Sequence, residues 1–224
     1  MKLSQMKSSH IDRFRTFFLF CGILMSASEI WKQYCLTFRL GSGHYNWWYF
    51  PFQLCSLPMY ICLLLPWVWK QPVRDIFLCF LADFGLLSGI FVFFDTSGMH
   101  YGYLPLTIHS YTWHILLIVL GIFSGMALMK DRQDPLISRC RLFAGSVCIY
   151  LSGCFLATVL NLALSHLGTI NMFYINPLLP MTQKVFHLFA LHLGDSAGIL
   201  IYMMSVILGA LCFHTFWKWA ARKK

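Results

Sequence analysis

Two short runs hold the residues of this chain best suited to chemistry. FPFQLCS (50–56) and LPLTIHS (104–110) align with Pro51 over Pro105, which puts Cys55 and His109 at the same register from their prolines. His114 follows five residues after His109. A thiol near a helix N-terminus and a histidine is enriched in thiolate, the form that attacks a carbonyl carbon. The same residues also suit plainer roles, the cysteine as a small inert hydrophobe and the histidines as interhelical hydrogen bonds. Metal binding by the histidines is not expected. Their spacing sets the rings about 140° apart around a helix, whereas zinc pairs on a helix favour i,i+4. His187 and His192 repeat the unfavourable spacing. In a regular helix only one of His109 and His114 then faces Cys55.

What must position these residues is a membrane bundle. The chain is 58% hydrophobic and 11% charged, with mean hydropathy +0.66, too apolar for a soluble domain. Windows of about 20 apolar residues match the thickness of a bilayer. They predict an all-α polytopic membrane bundle of six transmembrane helices, a single domain over 1–224. The spans fall near 16–37, 48–69, 75–95, 104–129, 142–165 and 195–217, with an interfacial helix near 181–192. The N-terminal apolar run continues to about Phe38 without a cleavage signature, so it reads as a retained first helix.

Charge orients the bundle. Lys2, Lys7, Arg13 and Arg15, Lys70 and Arg74, Lys130, Arg132, Arg139 and Arg141, and Lys218, Arg222, Lys223 and Lys224 flank one side. Only Lys32, Arg39 and Lys184 flank the other, so both termini are expected to be cytoplasmic in a cell-membrane protein. Trp47, Trp48, Tyr49, Tyr101 and Tyr103 at the outer ends, with Trp67, Trp69, Trp217 and Trp219 at the inner ends, read as interfacial belts. The net charge of +9 follows this pattern and forms no basic patch for nucleic acid. Nine cysteines without a CxxC pair argue against a disulfide framework or a zinc ribbon.

Ionisable and polar groups inside a membrane are functional candidates. Glu29, Gln53, Cys55, Ser56, His109, His114, Asn161 and Asn171 fall in or beside the outer half of the predicted bilayer, and Asp83 falls near its middle. Ser26 and Ser28, and Gly85, Ser88 and Gly89, read as small-residue packing faces.

FPFQLCSLPMYICLLL (50–65), IHSYTWHILLIVLG (108–121) and NMFYINPLLP (171–180) resemble the YwaF-type bacterial integral membrane proteins. That family is in turn similar to a eukaryotic membrane acyltransferase that moves acyl chains between phospholipids through a cysteine. The resemblance implies that Cys55 takes the acyl group, with His109 or His114 as base. The chain departs from the family pattern at DTSGMHYG (95–102). Three readings follow: a Cys/His acyltransferase or lipid hydrolase at the outer half of the bilayer, a small transporter using Asp83, and a non-catalytic membrane subunit. The partners expected are membrane lipids and no nucleic acid. No cofactor or metal is expected. The absence of nucleotide and CxxC motifs excludes an ATPase, a kinase and a thioredoxin-like enzyme.

Overall fold

In the computed structural model, residues 2–68, 70–130 and 139–222 are described. Arg132, Lys223 and Lys224 of the charge pattern and Trp69 of the aromatic belt lie outside the described residues. Among the described residues every regular element is helical. The helices are α1 (Lys2–Tyr34), α2 (Leu57–Leu64), α3 (Val73–Phe80), α4 (Leu86–Phe91), α5 (Leu104–Lys130), α6 (Arg139–Leu164), α7 (Lys184–Leu193) and α8 (Asp195–Arg222). A π-helical turn, Leu81–Gly85, joins α3 and α4 into one continuous span, Val73–Phe94.

Among the described residues, five helices are long and apolar enough to cross a membrane: Phe14–Leu40, Val73–Phe94, Leu104–Met129, Cys140–Leu167 and Asp195–Arg222. Their outward faces are apolar, with Phe20 63% and Phe155 73% exposed. In water such a surface would be unstable, and in lipid it is ordinary. The expected all-α membrane bundle is therefore the fold observed.

The expected continuous helix over 48–69 is not formed. Trp47–Tyr49 is a single 3₁₀ turn, the backbone bends around Pro51, and a second 3₁₀ turn, Leu54–Ser56, leads into the eight residues of α2. Pro58 explains the break. A helix begun upstream would need an N–H from Pro58 to Leu54 O, and the ring would clash with that carbonyl. Pro58 sits instead in the first turn of α2, where no donor is required. Pro66 stops the helix two residues past Leu64.

The broken segment still returns across the bundle. Gln33 of α1 donates to Tyr49 O, Gly22 of α1 abuts Leu63, and Arg15 of α1 donates to Pro66 O at 2.7 Å. These three contacts descend α1 as the chain ascends in number, so the segment runs antiparallel to α1. Both termini therefore lie at one end of the bundle. A Cβ on Gly22 would stand 2.9 Å from Leu63 N, so only glycine allows this close crossing.

The loop between α6 and α8 folds back into the bundle. Asn161 exchanges two hydrogen bonds with the Met172 backbone, at 2.6 and 3.0 Å. Asn171 Oδ1 accepts from Asn176 N, and Asn176 donates to Ile170 O. An aromatic ladder, Phe80–Phe84–Tyr150–Phe173–Phe52, carries the core from α3 through α6 to this loop and on to the Cys55 segment. Helix α7 is too short to cross a membrane and exposes Val185, Leu188 and Leu191, as an interfacial helix does.

Candidate functional site

Irregular backbone survives inside an apolar bundle only where it is buried in protein or lines a cavity. The broken segment does both. It borders a cavity of about 930 Å³ at the end of the bundle opposite the termini. That volume lies in the range of small-molecule binding sites.

Glu29, Gln53, Cys55, Ser56, His109 and His114 all line this cavity. Cys55 sits on the 3₁₀ turn before α2, where Pro58 holds the chain short of a regular helix. Its carbonyl accepts a hydrogen bond from Trp113 Nε1 at 3.1 Å, which ties the cysteine to the histidine-bearing helix α5. His109 is packed between the rings of Trp31 and Trp113, with centroids 5.7 Å away on each side. Its Nε2 is buried and has no hydrogen-bond partner among the described residues. His114 is buried, and its Nδ1 lies 2.8 Å from Ser110 O. Both rings border the cavity although they are about 140° apart around α5. The cavity is wide enough to reach both faces of α5.

No hydrogen bond joins Cys55 Sγ to either histidine ring among the described residues. Catalytic contacts of this kind often tighten only when substrate is bound. The Ser56 hydroxyl is buried and accepts from Gln53 N at 3.4 Å, which leaves its proton for donation.

Charged groups in the wall are paired. Lys32 Nζ lies 2.8 Å from Glu29 Oε1, and Gln33 donates to the same oxygen at 2.7 Å. At the rim, Lys184 of α7 meets Asp95 at 2.9 Å. The Lys184 ammonium and the hydroxyl and N–H of Ser97 hold the exposed Asp95 carboxyl down at about 2. The loop residue Tyr174 also faces the cavity, and burial pushes its phenol up to about 12, so it stays neutral. Phe173 and Tyr174 have φ of +56° and +58°, a left-handed conformation that costs about 1–3 kcal/mol each for such residues. Gln53 holds them there: it donates to Asn171 O at 2.9 Å and accepts from Phe173 N at 2.7 Å.

Asn161 and Asn171 are thus the struts of the loop and do not line the cavity. Asp83 also lies outside it, buried against Cys79 and His214. Lys32, Trp113 and Tyr202 line the cavity without having been singled out as site residues in the sequence. The i,i+3 spacing of Glu29 and Lys32 was a signal for the first of these, and nothing local marked the others. No family model, no curated protein and no solved structure matches the chain.

Proposed function

We propose that the chain is a membrane-embedded thiol enzyme that transfers or hydrolyses an acyl group of a membrane lipid, of the kind implied by its resemblance to the YwaF-type proteins. The observation that supports this is that Cys55, His109 and His114 line one cavity of about 930 Å³, with Trp113 hydrogen-bonded to the Cys55 carbonyl. Cys55 Sγ attacks the carbonyl carbon of an acyl ester, and its proton passes to a histidine ring. His109 suits that role because its Nε2 is uncommitted. The Ser56 hydroxyl donates to the developing oxyanion. Collapse of the tetrahedral adduct breaks the ester C–O bond, the histidine returns the proton to the leaving alkoxide, and a Cys55 thioester remains. An alcohol or water then attacks the thioester, giving acyl transfer or hydrolysis.

The charge pattern of the termini supports a location of this cavity in the outer half of the cell membrane. Transport finds less support, because Asp83, the coupling group it would use, faces a separate cluster. The test is a clickable acyl phospholipid offered to the protein in vesicles. Wild type should form an adduct released by hydroxylamine, and Cys55→Ala should form none. An adduct retained in full by Cys55→Ala, or none in wild type, overturns the reading.

A further inference from the structure

Outside the lining of the cavity, three side chains of metal-ligand type converge. Cys79 and Asp83 are four residues apart, which places them on one helix face. His214 arrives from α8. Cys79 Sγ lies 3.2 Å from Asp83 Oδ2 and 3.6 Å from His214 Nδ1, and that same Nδ1 lies 2.9 Å from Oδ2.

Hydrogen bonding alone would account for the individual contacts, but their arrangement is unlike a relay. A Cys–His–Asp relay uses both imidazole nitrogens, one toward each neighbour. Here the thiol and the carboxylate both approach Nδ1, so three donor atoms face one point. Zinc bonds of about 2.0 Å to N and O and about 2.3 Å to S give tetrahedral ligand separations of about 3.3 Å (N to O) and 3.5 Å (S to N or O). The observed separations differ from these by about 0.4 Å at most.

A second observation points the same way. Asp83 is 1% exposed, and its other oxygen, Oδ1, has no hydrogen-bond partner among the described residues. A buried carboxylate with an open oxygen is costly in an apolar bundle, and a bound cation removes that cost. The backbone is also unusual at this point, because the π-helical turn Leu81–Gly85 is centred on Asp83. Such turns recur at functional sites. Phe143 covers the His214 ring at 5.0 Å, and Ser146 Oγ stands 3.9 Å from the thiol, so the surroundings are shaped and mostly dry.

We infer that Cys79, Asp83 and His214 form a site for a divalent transition-metal ion of the zinc type, with a fourth position open to water or another ligand. A thiolate, an imidazole and a carboxylate favour Zn²⁺ or Co²⁺ over Mg²⁺ and Ca²⁺. The inference is independent of any chemistry at Cys55.

Full-length protein in detergent, stripped with a chelator and titrated with Co²⁺, tests it. Wild type and Cys55→Ala should bind about one Co²⁺ per chain, with a thiolate-to-cobalt charge-transfer band and a tetrahedral visible spectrum, both abolished by Zn²⁺. Cys79→Ser should remove the band. His214→Ala and Asp83→Asn should weaken binding about 10-fold or more, whereas Cys62→Ser and Cys154→Ser should leave it intact. If the ligand variants do not fold, alkylation of wild type decides: Zn²⁺ should protect Cys79 selectively. A wild type without saturable Co²⁺ binding, a band that survives Cys79→Ser, or Cys79 alkylation indifferent to Zn²⁺ would overturn the site and return the cluster to hydrogen-bonded packing.

Discussion

His109 and His114 differ in what their nitrogens are doing. His114 Nδ1 is already engaged with Ser110 O, whereas His109 Nε2 is buried and uncommitted in the wall of the cavity. A buried polar atom without a partner is unfavourable, and such an atom persists where binding or catalysis uses it. His109→Ala should therefore lower the rate of acyl-adduct formation on Cys55 by about 10²-fold or more, with little change in thermal stability. His114→Ala should act mainly on stability, by about 1 kcal/mol. Adduct kinetics and unfolding midpoints on the same purified variants check both, and an unchanged rate in His109→Ala would assign the proton to another group. The aligned prolines made His109 legible in the sequence. Its partnerless state was not, because it depends on Trp31 and Trp113 flanking the ring on both sides.

At the scale of elements, the site depends on a helix that fails to form. Pro58 keeps the Cys55 turn out of α2, and the resulting irregular backbone is satisfied by Gln53, whose side chain clamps the Asn171–Tyr174 loop. Asn161 clamps the same loop from α6. Each amide serves two backbone groups, so truncation orphans buried donors and acceptors. Gln53→Ala and Asn161→Ala should each destabilise the protein by about 1–3 kcal/mol. The two effects should be non-additive, because both amides hold one strained loop. Thermal unfolding of the single and double variants in detergent measures this, and simple additivity would mean that the clamps act independently. Window hydropathy reads composition and is blind to a missing N–H, so 48–69 scored as a full span. Pro58 and Pro66 were the available warning.

For the whole molecule, parity is the issue. Five long helices alone would leave the described ends of the chain at opposite ends of the bundle, and the broken passage from Tyr49 to Pro66, antiparallel to α1, brings them to the same end. A reporter that fluoresces only in the cytosol should thus be active when fused to either terminus and dark when inserted near residue 43 or residue 98. Fluorescence at only one terminus would show that the broken passage does not cross. The distribution of Lys and Arg carries the orientation, since charge bias is a property of the chain and needs no packing.

The sequence by itself determined the all-α membrane bundle and paired the Cys55 and His109 helix starts, which line one cavity. Hydropathy, charge and proline register are local and survive without tertiary contacts. Only the tertiary structure decided which polar residues share a space. Asp83 is four residues from Cys79 but needs His214, 131 residues away, to complete its cluster. Asn161 and Asn171 turn out to be struts because the loop they bind returns into the bundle. Side-chain convergence over such separations depends on helix rotation and on the π turn, and neither leaves a periodic trace in the chain.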